Sequence, residues 1–191
     1  SAPSWADSTL TQNANGTWAL VRHQTEIFTF SAGGQLVGIS DPNGYATTLS
    51  YNASGQLATV TDSAGRQLTF SFGSNGLVSR VTDPLGRTTR YVYDSGADLV
   101  SVTNSGGTWS FTYGPGHLMA TVTDPDGGTV ANAYDSAGRV TSQTDPVGRT
   151  TTFAYSGDNF STGGGTTTIA GPRGIVETQH YVGGLLMSLT K

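Results

Sequence analysis

Tyr134-Asp-Ser-Ala-Gly-Arg-Val-Thr-Ser-Gln-Thr-Asp-Pro-Val-Gly-Arg-Thr-Thr-Thr-Phe-Ala-Tyr155 is the stretch that decides how this chain folds. It starts and ends on a tyrosine and holds two turn signals, Asp135-Ser-Ala-Gly138 and Asp145-Pro-Val-Gly148. Aspartate at the first turn position accepts a hydrogen bond from the backbone two residues on. Proline at the second presets φ near about −65°, and glycine at the fourth takes the left-handed conformation that returns the chain. Loops this short join only antiparallel neighbours, so the stretch reads as consecutive β-hairpins.

Working outward, the same grammar fills most of the chain. Aromatic residues recur at Phe30, Tyr51, Phe72, Tyr93, Tyr113, Tyr134, Tyr155 and Tyr181, mostly at intervals of 21 residues, with one interval of 20 and a last one of 26. A turn signal such as Asn52-Ala-Ser-Gly55 follows the aromatic, then a strand such as Gln56-Leu-Ala-Thr-Val-Thr61. A second turn signal comes next: Asp41-Pro-Asn-Gly44, Asp62-Ser-Ala-Gly65, Asp83-Pro-Leu-Gly86 or Asp124-Pro-Asp-Gly127. Another strand then leads to the next aromatic, as in Arg87-Thr-Thr-Arg-Tyr-Val-Tyr93. Self-similarity at a fixed period is the mark of a repeat architecture. The expectation is an all-β fold: an antiparallel up-and-down meander of tandem β-hairpins forming a curved single-layer sheet strip of about fourteen strands.

About seven repeats are expected over residues 13–191, with an irregular insertion near 156–165. Residues 1–12 fit no unit and read as an atypical N-terminal segment suited to capping a sheet edge. Thr17-Trp-Ala-Leu-Val-Arg22 and Thr25-Glu-Ile-Phe-Thr-Phe30 read as a hairpin with a tighter turn at His23-Gln24. In the second strand of each unit, apolar residues alternate: Leu68, Phe70 and Phe72 share a face, while Arg90 and Val92 point away from Tyr91 and Tyr93. In the first strand they stand three apart, as Leu57 and Val60 or Leu99 and Val102, and so are expected on opposite faces. One face should then carry aromatics and Thr, and the other a thinner apolar scatter.

Composition narrows the function classes. A net charge of −4, a pI near 5.1 and scattered arginines argue against nucleic-acid binding, which needs a basic patch. No apolar run approaches the roughly 18 residues of a membrane-spanning helix. The chain has no cysteine, so disulfides and thiolate chemistry are excluded. The opening residues show no leader pattern. A first residue other than Met reads as an excised fragment of a longer protein or a processed product.

The phrases Tyr134-Asp-Ser-Ala-Gly-Arg139 and Thr144-Asp-Pro-Val-Gly-Arg-Thr-Thr151 resemble the YD repeats of the RHS family, over roughly residues 13–191. The resemblance implies a long sheet strip that spirals into a hollow cocoon. Such shells occur in bacterial polymorphic toxins, insecticidal toxin complexes, wall-associated proteins and animal teneurins; in the toxins the shell encloses a variable C-terminal effector. The implied role is a structural segment of that shell in a secreted or cell-surface bacterial protein, with neighbouring repeats and the enclosed effector as partners. Members that release their cargo have a C-terminal core in which Asp-Pro-x-Gly precedes an apolar residue and an aspartate pair is catalytic. Here Tyr45, Arg87, Gly128 and Arg149 follow that motif, so no catalytic residue carries over and the expectation is not an enzyme, with no cofactor and no metal. About 14 strands at roughly 4.8 Å close a ring only about 20 Å across. A 100-residue cargo needs roughly 33 Å, so the segment is one section of a wall.

Other chemistry weighs less. The recurring aspartates fit turn capping better than a glycosidase pair, because a catalytic pair is singular. Asp124-Pro-Asp-Gly127 lacks the remaining ligands of a calcium loop. His23, His117 and His180 show no metal-ligand spacing, and His117 stands where a turn glycine is expected, as if by drift. Gly163-Gly-Gly165 lacks the Lys and helix of a phosphate loop. The aromatics invite an alternative, an adhesion or carbohydrate-binding module; Trp5, Trp18 and Trp109, outside the main aromatic column, have the best claim to ligand contact. Equivalent rings on every second strand stand roughly 9.6 Å apart, so the strand between must fill the gap, and cross-strand packing is the simpler account. Cutting such a strip exposes sheet edges through which the piece could self-associate.

Overall fold

The computed structural model describes residues 7–157 and 163–191, which are almost wholly strand and turn. The helical content among them is a single 3-10 turn, Pro115–His117. The chain divides into two compact units, Ser1–Arg90 and Tyr91–Lys191.

The first unit holds β1 (Ser8–Gln12), β2 (Trp18–Arg22), β3 (Glu26–Phe30), β4 (Leu36–Ser40), β5 (Ala46–Tyr51), β6 (Leu57–Thr61), β7 (Gln67–Phe72), β8 (Val78–Thr82) and the first half of β9 (Thr88–Tyr93). Each strand pairs antiparallel with the next. The second unit continues with β10 (Leu99–Asn104), β11 (Gly107–Gly114), β12 (Leu118–Thr123), β13 (Thr129–Tyr134), β14 (Val140–Thr144), β15 (Thr150–Gly157), β16 (Gly164–Ala170), β17 (Val176–Val182) and β18 (Leu185–Thr190). From β10 onward they pair in the same consecutive, antiparallel way. The fold is thus the all-β, up-and-down meander read from the repeat.

The described residues form eighteen strands rather than about fourteen. The difference lies at the ends. β1 occupies residues read as outside the repeat and pairs with β2, Leu10 opposite Leu20. Strands β16 to β18 continue the pairing beyond the irregular stretch. Of the expected insertion near 156–165, residues 158–162 lie outside the described residues; its flanks meet as Gly157 opposite Gly165.

The turns follow the chemistry of their residues. In the Asp83 turn, the Gly86 amide donates to the Asp83 carbonyl (2.9 Å) and the Asp83 amide to that of Arg87 (2.9 Å). Asp83 Oδ1 accepts from the amides of Leu85 and Arg87, each at 2.9 Å, and Gly86 sits at φ +79°. The same geometry serves Asp41, Asp62, Asp94, Asp124, Asp135 and Asp145. His23 and Gln24, at φ 49° and 55°, form the tighter two-residue turn, whose primed geometry matches strand twist.

The expectation about faces needs correction. Opposite six of the eight column aromatics, the following strand carries one extra residue: Tyr51 pairs with Leu57, while its neighbour Ser50 pairs with Thr59, leaving Ala58 bulged. The same irregularity falls beside Phe30, Phe72, Tyr113, Tyr134 and Tyr181. A β-bulge resets the two-residue alternation. Leu57 and Val60, three apart in sequence, therefore lie on one face, opposite Tyr51 and Leu49. In the first unit this gathers Leu36, Ile39, Leu49, Leu68, Phe70 and Val81 with the column aromatics. The other face is mainly Thr, Ser and small residues, with hydroxyl pairs such as Thr112–Thr121 (2.6 Å) and Ser156–Thr166 (2.6 Å). The sequence expectation had mixed these two faces.

Among the described residues no hydrophobic side chain is fully buried. The buried residues among them are Gly165 and the polar Thr167, the latter at 9% exposure. Each unit is therefore held by ladder hydrogen bonds and by cross-strand pairs, worth about 0.2–1 kcal/mol each, rather than by a core.

Candidate functional site: the aromatic face

The eight column aromatics stand at or near the ends of every second strand from β3 to β17. The strands between them do fill the gap, and with aliphatic residues: Phe30 faces Leu36, Tyr51 faces Leu57, Phe72 faces Val78, Tyr113 faces Met119 and Tyr134 faces Val140. Within each unit the column is a half-buried row in which rings alternate mostly with aliphatic chains. Tyr181 likewise faces an aliphatic residue, Leu186, whereas Tyr155 differs in standing opposite Thr167.

The sequence reading missed the work of the tyrosine hydroxyls. Tyr51 donates to the Leu36 carbonyl (2.7 Å), Tyr113 to Leu99 (2.9 Å), Tyr134 to Met119 (2.7 Å) and Tyr155 to Val140 (2.7 Å). Each acceptor is the first or second residue of the strand before the tyrosine's own, so each bond stitches one repeat to its predecessor. The available signal was the preference for Tyr over Phe, together with a recurrent offset of 15 residues (14 at Tyr113). Burial pushes the phenols of Tyr113 and Tyr155 up. Asp98 and Asp94 add to the effect at Tyr113; at Tyr155, Arg139 opposes it and Asp135 adds to it. Tyr181 instead donates to Gln179 Oε1 (2.6 Å), and Gln179 donates to Glu177 Oε1 (2.7 Å).

Of the tryptophans, Trp5 lies outside the described residues. Trp18 is half-buried opposite Phe30. Trp109 is half-buried opposite Val102 and shares its face with Phe111 and Tyr113, so it belongs to the aromatic face rather than standing apart from it.

A second element recurs at the turns. Arg66, Arg87, Arg139 and Arg149 each direct Nε at Oδ2 of the aspartate four residues earlier, at 2.6–2.8 Å. The carboxyls of Asp62, Asp135 and Asp145 are held below the usual aspartate value, first by the arginine's backbone amide and then by its side chain, against an opposing desolvation. At Asp83 the opposing desolvation is the largest single contribution, and the bonds from Arg87 and Leu85 together with the Arg87 charge outweigh it.

His117 is more than drift. At φ 60° it keeps the left-handed turn conformation, and its Nδ1 lies 2.8 Å from Asp98 Oδ1. In two other repeats the residue at the Asp98 position is Gln, Gln35 and Gln56, whose amides donate to the carbonyls of Gly55 and Gly76 in the next repeat's turn. Asp98 cannot donate, and His117, in the turn-glycine place, turns an imidazole nitrogen toward it. Among the described residues no three His, Asp or Glu side chains gather as a metal site. No helix among the described residues is long and apolar enough to cross a membrane.

The family model for the RHS repeat matches residues 30–67, 74–108, 95–129 and 134–163. These cover more than half of the sequence, and the chain belongs to the RHS repeat family. Among solved structures it is similar to a chain in the crystal structure of TcdB2-TccC3-Cdc42, with a TM-score of 0.55 and 14% identity, over 92% of this chain and 11% of that one. It also matches a chain in the structure of the Photorhabdus luminescens Tc holotoxin pore, with a TM-score of 0.42 and 15% identity, over 82% of this chain and 12% of that one. The first likeness shows the fold. The chain spans only about a tenth of the length of these structural relatives. No curated protein matches it.

Proposed function

We propose that this chain is a wall section of an RHS shell in a secreted bacterial protein, and that the whole shell encloses and shields a C-terminal effector. The observation that carries this reading is a repeated hairpin sheet, one layer thick, stitched from repeat to repeat by tyrosine hydroxyls and lacking a core of its own. Such a layer acts mechanically. Its hydrogen bonds are satisfied within the sheet, and it separates two spaces. Its chemistry lies in turn-capping aspartates and paired arginines, which suits a structural and non-catalytic role.

The test is limited proteolysis of the full-length protein beside its C-terminal region expressed alone. Protection of that region in the full-length particle supports the reading. Cleavage at the rate of the unshielded control rejects it.

A second reading has one observation in its favour. Trp109, Phe111 and Tyr113 lie in line on one half-exposed face of β11, a spacing that suits stacking on sugar rings. A glycan array with Trp109→Ala and Tyr93→Ala variants separates the two readings. Binding lost in the variants favours adhesion, and no reproducible binding disposes of it.

A further inference from the structure

We propose that Arg80 and Arg90 form a binding site for a doubly charged tetrahedral oxyanion, phosphate or sulfate, on the hydroxyl face of the first unit. The two arginines are direct register partners across β8 and β9, so their side chains rise from the same face next to one another. Both are exposed. Like charges placed directly opposite in an antiparallel pair repel and destabilise it.

The other repeats show how unusual this rung is. Its equivalents are Gly38 opposite Thr48, Thr59 opposite Thr69, Thr121 opposite Ala131 and Ser142 opposite Thr152. All are small and neutral. Only here do both partners become arginine, in a chain of net charge −4 with eight arginines in all.

Nor is the pair neutralised from within. Arg22, Arg66, Arg87, Arg139 and Arg149 each hold a carboxylate four residues away, whereas no ion pair reaches Arg80 or Arg90 among the described residues. Around them stand hydroxyls, Ser71 directly opposite Arg80 and Thr82 between Thr69 and Thr88. Two guanidinium forks bind a dianion in a charge-assisted way, and nearby hydroxyls can donate to its remaining oxygens. An ion of this kind converts the repulsion into a bridge.

The experiment is titration of the 191-residue chain with inorganic phosphate, followed by amide chemical shifts. Thermal melting in phosphate and in chloride at equal ionic strength is measured in parallel. A second arm uses glucose 6-phosphate, which distinguishes a free ion from an ester-borne one. The variant Arg80→Ser/Arg90→Thr installs residues found at equivalent rungs and is expected to fold; Arg66→Ala controls for an ordinary exposed arginine. The expected result is shift changes confined to β7, β8 and β9 and a phosphate-specific gain in melting temperature. Both should be weakened roughly tenfold or more by the double substitution and kept in Arg66→Ala. Equal melting in phosphate and chloride overturns the proposal, as does a response unchanged in the double variant or lost equally in Arg66→Ala. These outcomes do not depend on the shell reading, which protease protection tests separately.

Discussion

The guanidinium carbon of Arg139 stands 4.6 Å from the centre of the Tyr155 ring while its Nε, 2.8 Å from Asp135 Oδ2, stays tied to its own turn. Tyr155 in turn donates to the carbonyl of Val140, the residue that follows Arg139. Turn, cation, ring and neighbouring backbone thus form one closed unit, which gives the Tyr-Asp-x-x-Gly-Arg phrase a physical meaning.

That unit can be taken apart in steps. Tyr155→Phe keeps the ring under Arg139 and loses the hydroxyl bond, at an expected cost of about 0.5–1.5 kcal/mol. Arg139→Ala loses the ring contact and the turn pairing, at an expected cost of about 0.5–2 kcal/mol. Urea unfolding of both singles and the double should show a non-additive cycle, since the two residues touch. Strict additivity counts against the coupling.

The bulge makes a register prediction. Deleting Thr141, the extra residue opposite Ala133 and Tyr134, shifts Val140 toward the hydroxyl face or breaks the pairing. The expected loss is about 1.5–3 kcal/mol, the cost of exposing a large aliphatic side chain, read as a lower urea midpoint. Substituting Thr141→Ala, which keeps the count, should cost less than about 1 kcal/mol.

Acid should weaken the turns. Asp62, Asp83, Asp135 and Asp145 titrate below the usual aspartate value of 3.8 in the folded chain. The unfolded chain therefore binds these protons first. Their contribution is fully present above that ordinary value and is lost as pH falls through the lowered folded values. Urea midpoints should be flat from neutral pH down to about pH 5 and then drop in the wild type. Replacing all four residues by Asn should flatten that drop, and an unchanged acid slope would contradict the pairing.

The Asp98–His117 pair should behave as a coupled replacement. Asp98→Gln alone leaves His117 without its carboxylate, and His117→Gly alone leaves Asp98 without a donor. The double variant rebuilds the Gln-to-Gly arrangement seen at Gln35 and Gln56. It is expected to be more stable than either single by about 0.5–1.5 kcal/mol, measured by chemical denaturation. A double variant no better than the worse single rejects the compensation.

Much of this architecture was legible in the residues. Turn aspartates and glycines fix where the chain reverses, and the 21-residue spacing of Tyr and Phe fixes how often. The two faces were misassigned because a bulge leaves no distinct residue: Ala58, Ser79, Ala120 and Thr141 are ordinary strand residues, and only pairing reveals them as extra. The tyrosine hydroxyl bonds escaped for a related reason, since their acceptors are main-chain carbonyls with no sequence signature. His117 looked like drift because its partner lies 19 residues away in sequence. The unpaired rung at Arg80 and Arg90 became visible only once register placed them side by side.

Because within each unit the described strands lean on their immediate chain neighbours and on no shared interior, the number of hairpins is a free variable. A gene can gain or lose one 21-residue module by unequal recombination and still encode a sound sheet, since the new junction repeats an old one. Natural relatives should then vary in length by whole modules far more readily than by single residues.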